Sequence, residues 1–473
     1  MITMIRTRFA PSPTGQMHIG NLRTALYEYL IAKHSGGTFI LRIEDTDQNR
    51  YVEGAMDAIL DALRITGLAY DEGPGKGGDY GPYIQSERKD HYLPYAKELI
   101  EKGKAYYCFC QKEQEKEGLQ KYDRRCHNLP KDEASAKITA GDSYVIRQFI
   151  PGGKTTFRDE VFGSITIDHE EIEDQILIKS DGMPTYNFAN VVDDHAMAIT
   201  HVVRGSEYLT STPKYNLLYE AFGWDVPVYV HLPLMLNEQG EKISKRRGDA
   251  SFCDLLDMGY LPEAIINYIA FLGWSSPDNR EYFTLPELVE AFEIQNISKS
   301  PSLFDHKKLA WMNGEHIKRL PEEVFYEMAL PVLQPAIKTP GIDLKNIAKM
   351  VQSRVLFVKD SVELVDFIDQ LPDYCPTLFT HKKMKTDPAI ALAALEAILP
   401  VYKAIDTWDN ETLYAAAVEC AKSSDYKNSQ ILWPIRTAMS GKASSFCGAS
   451  ELCALLGKEE SIRRLEVGVG KLK

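Results

Sequence analysis

Two short segments carry residues able to act on a phosphorylated ligand. The first is Pro11-Ser12-Pro13-Thr14-Gly15-Gln16-Met17-His18-Ile19-Gly20-Asn21. Its prolines and Gly15 forbid a regular element there. A helix opening just beyond would offer free backbone N–H groups and a dipole that favour an anion. Gly20 lets a ligand approach the backbone closely, and His18 can donate to a phosphate or a leaving oxygen. The second segment is Glu241-Lys242-Ile243-Ser244-Lys245-Arg246-Arg247-Gly248, in which four of the six residues from Lys242 to Arg247 are cationic. A mobile basic loop of this kind can clamp a triphosphate while charge builds at the α-phosphate during displacement. Taken singly, a capped βα turn and a solvated basic loop would account for the two segments equally well.

The elements around them must place them in one site. Residues 3–10 read as a strand ending at PSPTG. A helix follows from about Ile19, with Leu22, Leu26, Tyr29 and Leu30 on its apolar face, and stops near Ser35-Gly36-Gly37. Residues 38–43 read as a second strand, so the chain opens with a βαβ unit of a parallel sheet. Gly73, Gly75 and Gly78 match the dinucleotide spacing G-x-G-x-x-G, but no helix opens after them, and that reading is rejected. Residues 86–185 change texture to a helical stretch, a Cys-bearing patch and short strands at 144–150, 164–167 and 175–178, an α+β insertion. Strands at 199–203 and 228–232 restore the α/β pattern. Of 31 glycines, 25 precede residue 325, and the last 149 residues carry helical patterns such as LAALEAILPVYKAI and ELCALLGKEESIRRLE. The expected fold is a Rossmann-like parallel sheet with an α+β insertion, followed by an all-α C-terminal domain. The boundaries expected are 1–85 and 186–240 for the sheet halves, 86–185 for the insertion, 241–324 for a linking region and 325–473 for the helical part.

Composition sets the class. With 473 residues, 44% hydrophobic and 26% charged, the chain reads as several folded domains without a disordered tail. No apolar run approaches the roughly 18 residues of a membrane helix. The N-terminus lacks the apolar core of a signal peptide, which points to the cytosol. A formal net charge of −13 argues weakly against nucleic acid as a partner, so any such role needs local basic clusters and few, well-placed contacts. Of eight cysteines, Cys253, Cys375, Cys420, Cys447 and Cys453 lie scattered and read as buried free thiols, whereas Cys108, Cys110 and Cys126 lie close together.

The two segments resemble the HIGH and KMSKS motifs of class I aminoacyl-tRNA synthetases, through His18-Ile19-Gly20-Asn21 and Lys242-Ile243-Ser244-Lys245-Arg246. RFAPSPTGQMHIGN, LRIEDTD, YGPYIQSER, PTYNFANVVDDH, HVVRGSEYLTSTPKY and SKSPSLFD are similar to glutamyl-tRNA synthetases of the bacterial type. The likeness runs to about residue 315 and resumes at WPIRTAMSGK. It implies a monomeric enzyme that activates L-glutamate with ATP and Mg²⁺ and transfers it to the 3′-terminal adenosine of tRNA-Glu. It implies ATP contacts from Pro11, Ser12, Thr14, Gly15, His18, Gly20, Asn21, Lys245 and Arg246. His18, Gly20, Lys242, Ser244 and Lys245 would serve the chemistry, by positioning and charge stabilisation rather than by a protein nucleophile.

Glutamate itself, with two carboxylates and one ammonium, needs cationic or donor groups and one acid. The resemblance implies Arg8 and Arg204 for the carboxylates and Glu44 for the ammonium, with Ser12, Tyr186 and Asn190 around them. Glu44, Asp45 and Asp47 could instead form a Mg²⁺ site. Some members of the family bind zinc with three cysteines and a histidine, which here would be Cys108, Cys110, Cys126 and His127, a set suited to a closed tetrahedral site. The adjacency of Cys126 and His127 departs from that pattern and leaves Tyr122 or water as the alternative fourth ligand. In the helical domain the resemblance implies Arg354, Arg436 and Ser445 near anticodon bases, against the plain reading of surface arginines on helices. Rival readings are a glutaminyl-tRNA synthetase, the short paralogue without an anticodon domain, an inactive tRNA-binding paralogue, and an enzyme that also charges tRNA-Gln.

Overall fold

The computed structural model describes residues 4–110, 122–243 and 251–473. The chain divides into two units, Met1–Leu309 and Ala310–Lys473.

The first unit opens with strand β1 (Arg6–Phe9), helix α1 (Ile19–His34) and strand β2 (Thr38–Leu41), the two strands pairing in parallel from Arg6↔Thr38 to Phe9↔Leu41. Leu22, Leu26 and Leu30 of α1 are fully buried, and the helix ends at Ser35. Helix α2 (Ala55–Ile65) follows, then a loop with no helix after Gly78. The insertion supplies α3 (Lys89–Glu101), β3 (Ala105–Cys108), α4 (Lys131–Thr139) and strands β4 (Val145–Gln148), β5 (Lys154–Asp159), β6 (Gly163–Asp168) and β7 (Ile176–Ile178). After it come α5 (Tyr186–Ala196), β8 (His201–Gly205), α6 (Thr212–Phe222) and β9 (Val228–Leu232). Helix α6 stops at Gly223, whose φ of 76° is the left-handed cap that glycine adopts freely.

The insertion is not a separate body. Strands β3, β4 and β7 form their own antiparallel sheet, but the β5–β6 hairpin joins the main one in the order β6-β5-β9-β8. The joint is parallel, at Asp159↔Tyr229. The core is shared as well: Tyr92 and Leu99 of α3 pack with Ile146, Leu177, Phe188, Val192 and Leu218. Burying each such side chain contributes about 1.5–3 kcal/mol. Strand β8 continues the sheet beside β1, where Arg6 N–H donates to Thr200 Oγ1 at 2.8 Å and Thr200 N–H returns to Arg6 O at 3.0 Å. The short strand β10 (Met235–Leu236) leads into the basic segment and pairs with β11 (Ser302–Leu303). Between them lie α7 (Phe252–Met258), α8 (Pro262–Ala270) and α9 (Leu285–Ala291).

Helix α10 (His306–Arg319) spans the division between the units. Its Gly314 delays the thinning of glycine, because a Cβ there would press Leu356 at 2.8 Å. The second unit continues with α11 (Glu322–Ala336), α12 (Leu344–Val351), α13 (Ser361–Val365), α14 (Pro388–Ala404), α15 (Asn410–Ser423), α16 (Asn428–Ser440), α17 (Ala449–Leu456) and α18 (Lys458–Leu472). Helix α14 buries Ala391, Ala394, Leu395, Ile398 and Tyr402, the one-face spacing of its sequence. The run from Glu451 to Glu466 is two helices rather than one, because Gly457 turns the chain at φ 79°. Cys375 is exposed and Cys253 half-buried, against the expectation for both, since Cys375 precedes a 3₁₀ turn outside the packed helices.

Arg464 of α18 is wholly buried and ties three segments. Its Nη1 donates to Met439 O at the end of α16, Nη2 donates to Ile368 O at 2.8 Å, and Nε donates to Glu460. Removing it strands two carbonyls in a volume closed to water. Arg464→Leu is expected to lower the stability of the second unit by about 2–4 kcal/mol, read as a separate shift of its transition in calorimetry.

Candidate active site

A cleft of about 990 Å³ opens in the first unit at the C-terminal ends of its parallel strands, where α/β sheets bind ligands. One wall is the β1–α1 turn. His18 is the N-cap of α1, and its Nδ1 accepts the Gly20 N–H at 3.0 Å. With Nδ1 accepting, the neutral ring carries its proton on Nε2. Gly20 suits this contact because a Cβ would lie 3.2 Å from His18 Nδ1. Pro11, Ser12, Thr14, Gly20 and Asn21 line the same wall. Gly15 turns the chain behind it at φ 123°. Lys242 lines the cleft too, its Nζ donating to Glu207 Oε1 at 2.8 Å. Ser244, Lys245 and Arg246 lie outside the described residues.

The floor is a buried charge cluster. Arg8 Nε donates to Asp194 Oδ1 at 2.9 Å and Nη1 to Glu28 Oε1 at 3.2 Å. Arg42, with no exposed surface, donates to the same Asp194 oxygen at 2.8 Å and to Glu44 Oε1 at 2.8 Å. Burial works against the charge of both arginines, but the acids around them hold their pKa values above the ordinary range. Glu44 is pushed up to about 7, chiefly by burial, with Arg42 and Arg8 opposing. Burial also raises Glu28. Asp194 is lowered: burial would raise it, but Arg8 and Arg42 outweigh that. One oxygen each of Glu28 and Glu44, Oε2, is buried without a hydrogen-bond partner among the described residues, and both residues line the cleft.

Arg204 and Tyr186 line the cleft near this floor. Arg204 Nε donates to His231 Nε2 at 3.1 Å and Nη2 to Thr212 Oγ1 at 3.1 Å. Its guanidinium lies over Tyr215, Tyr229 and Tyr208 at 4.4, 5.3 and 5.4 Å from the ring centroids. Asn190 stands one turn behind Tyr186, its Nδ2 donating to Tyr186 O at 2.9 Å. Glu44, Asp45 and Asp47 do not converge as a metal site would require. Asp45 instead accepts from Ser86 N–H at 2.8 Å and from Gln48, and Glu44 is engaged by Arg42.

Among the described residues, the one group with metal-ligand convergence is Cys108, Cys110 and Cys126, their sulfurs within 4.8 Å of one another. Tyr122 Oη stands 3.2 Å from Cys108 Sγ and 3.6 Å from Cys110 Sγ. His127 is turned elsewhere, stacked on Phe149 with centroids 4.1 Å apart. In the second unit, Arg436 stacks over Trp433 at 4.0 Å and donates to Ser445 Oγ at 3.4 Å and Ala443 O at 3.0 Å. Arg354 is exposed, and its charge reaches Cys447, whose thiol burial pushes up to about 12.

Comparisons with known proteins identify the family. Residues 4–311 match the model of the class I tRNA synthetases (E and Q), catalytic domain, and residues 324–469 match an anticodon binding domain. A glutamate–tRNA ligase of Clostridium novyi is 56% identical over 99% of this chain and 98% of its own. The chain belongs to the glutamate–tRNA ligases. Another member, from Clostridium kluyveri, is 54% identical over 100% of this chain and 99% of its own. The crystal structure of a glutamate–tRNA ligase of Elizabethkingia meningosepticum, in complex with its amino acid, matches with a TM-score of 0.85 and 33% identity, covering 99% of this chain and all of that one. As in that family, the fold is a class I catalytic domain with a parallel sheet and a helical anticodon-binding domain.

Sequence reasoning missed Arg42, Glu28, Asp194, Asp159 and His231. Arg42 and Asp194 sit inside LRIEDTD and VVDDH, and a charged residue in a run otherwise fit for burial was their signal. Asp194→Ala is expected to leave two buried arginines short of a shared acceptor and to cost about 3–5 kcal/mol in denaturant unfolding.

Proposed function

We propose that this chain ligates L-glutamate to tRNA-Glu in two ATP-dependent steps. One observation carries the reading: a single cleft joins the N-terminus of α1, which suits a phosphate, to an acid and an arginine that, among the described residues, have respectively an oxygen without a hydrogen-bond partner and no acid in direct contact. First the α-carboxylate attacks the ATP α-phosphate, and pyrophosphate leaves. Then the 2′-OH of the terminal adenosine attacks the glutamyl carbonyl, and AMP leaves. His18 Nε2–H and the free N–H groups of α1 hold phosphate oxygens. Pro11, Ser12, Thr14, Gly15, Gly20 and Asn21 shape the nucleotide wall, and Lys242, Ser244, Lys245 and Arg246 form the clamp. Mg²⁺ arrives with ATP. Glu44 takes the ammonium through Oε2. Arg8 and Arg204 take the carboxylates, and Asn190 holds Tyr186 against the ligand. Residues 241–324 contact the tRNA stem, and Arg354, Arg436 and Ser445 lie at the anticodon. Few such contacts suit a chain of net charge −13. On this reading the enzyme works in the cytoplasm as a monomer. Among the described residues no helix is long and apolar enough to cross a membrane.

The cysteine group fits a zinc ion. Tetrahedral Zn–S bonds of about 2.3 Å separate sulfurs by roughly 3.8 Å, and Cys110 and Cys126 stand 3.6 Å apart. Tyr122, rather than His127, is placed to be the fourth ligand. The ion would fix the Cys-bearing patch against β3 and β4.

Charging assays with purified tRNA-Glu and tRNA-Gln, each offered glutamate and glutamine, test the function; the expected product is glutamyl-tRNA-Glu, and its absence refutes the proposal. In the same assay, Lys245→Ala should lower turnover by about 10²–10³ with little change in KM for glutamate. Metal analysis of protein purified without chelator should find one zinc per chain, lost in Cys126→Ser and kept in His127→Ala. Retention in the first variant or loss in the second would overturn the ligand set.

A further inference from the structure

The arginines in and beside this site are held in different ways. Arg23, which lines the cleft, donates to the carbonyls of Leu272 and Pro233. Arg8 and Arg42, and Arg88 beside the cleft, each contact a carboxylate directly, at 2.9, 2.8 and 2.7 Å for the nearest pairs. Arg204 does not: among the described residues, its partners are His231, Thr212 and three tyrosine rings, all neutral. An acid does stand behind it, one residue removed. Arg204 and His231 are register partners on the parallel strands β8 and β9, so their side chains rise side by side from one face. His231 Nδ1 lies 2.7 Å from Asp159 Oδ2, and neither residue has appreciable exposure. Asp159 is itself fixed. Its Oδ1 accepts from Val161 N–H at 3.0 Å and Phe162 N–H at 2.7 Å, and its Oδ2 also accepts from His231 N–H at 3.0 Å.

These contacts settle the state of the imidazole. Nδ1–H donates to Asp159 Oδ2, so Nε2 is an acceptor, and it receives the Arg204 Nε–H. Burial holds His231 below its ordinary pKa, with Asp159 opposing and Arg204 adding to the effect, so the ring is neutral at pH 7. A neutral ring orients the guanidinium without cancelling its charge. A carboxylate in the same place would orient it equally well but would also neutralise it, and a substrate carboxylate would then meet no net attraction.

We infer that the Asp159–His231 pair positions Arg204 while keeping any carboxylate of the protein out of direct contact with it, and that the pocket thereby prefers a side-chain carboxylate to a carboxamide. The inference rests on the proposed role of Arg204 toward glutamate. The α-carboxylate must lie at the ATP phosphate to react, which leaves the side-chain carboxylate for Arg204. His231 touches no reacting atom and acts through Arg204, as a positioning residue.

The test is steady-state charging of tRNA-Glu by His231→Glu, His231→Gln and Arg204→Leu, with KM measured for glutamate and ATP and with glutamine as competitor. His231→Glu puts an acid against Arg204. It should raise KM for glutamate at least about tenfold, lower the preference for glutamate over glutamine, and leave KM for ATP and kcat within about threefold. His231→Gln restores an acceptor at the Nε2 position and should stay within about threefold of the parent in KM for glutamate. If His231→Glu does not fold, His231→Leu, which removes the acceptor, carries the same expectation. An unchanged KM for glutamate in His231→Glu, beside a raised one in Arg204→Leu, overturns the inference and leaves the role of Arg204 standing. His231→Gln as impaired as His231→Glu also overturns it, since the acceptor would then not be the cause. An unchanged KM in Arg204→Leu removes both the inference and the reading beneath it.

Discussion

Asp194 Oδ1 accepts from Arg8 and from Arg42, at 2.9 and 2.8 Å, in a space with almost no access to water. The two cations come from different strands, Arg8 from β1 and Arg42 from the residue after β2. The anion comes from α5, which the chain reaches only after the whole insertion. Charges buried this deeply are tolerated only when paired and fully hydrogen-bonded. The cluster therefore forms only when the two halves of the sheet meet in the correct register, and a slip of one residue would turn Arg8 to the opposite face. The neighbouring Asp193 extends the constraint outward, accepting from Arg88 at 2.7 Å, Gln85 at 2.9 Å and Tyr92 at 2.9 Å. Adjacent residues of one helix thus fasten the cleft floor and the first helix of the insertion.

Much of the scaffold was legible because its signals are local. The start of α1 follows from the PSPTG break and its end from Ser35-Gly36-Gly37, and strand 228–232 follows from a run fit for burial. The β5–β6 hairpin's place in the main sheet was not legible. Its pairing to β9 joins Asp159 to Tyr229, 70 positions apart, and no periodicity encodes a partner at that distance. The break at Gly457 was readable in principle, since a glycine within a helical run marks a cap when it takes positive φ, but spacing alone does not say which glycines do.

The site was legible in a different way. Residue type and resemblance named Arg8, Glu44, His18 and Arg204, all of which line one cleft. The partners that fix them carry no motif of their own. His231 reads as one more residue of a buried strand, and Asp159 as an exposed acid beside a turn, until the sheet puts them in line behind Arg204. His127 shows the converse: its type and position suit a metal ligand, yet its ring stacks on Phe149 while Tyr122 faces the thiols. A side chain's chemistry is readable from sequence, but its direction is set by packing.

The charge arrangement also separates what a zwitterionic ligand needs kept apart. Arg8 and Arg42 stand among three carboxylates, Glu28, Glu44 and Asp194, which would leave one negative charge in excess if all three were ionised. Burial answers the excess by raising Glu28 and Glu44, and a bound ammonium would answer it instead by restoring Glu44 to its ionised form. Arg204 stands outside this cluster and keeps its charge because its strand neighbour is an imidazole. Had β9 carried an acid at 231, both ends of the pocket would favour cations, and a ligand with two carboxylates would find no end to itself. The difference between those two pockets is one side chain on a strand that does not line the cleft, so in the proposed site selectivity is set by what lies beneath the binding surface as much as by the surface itself.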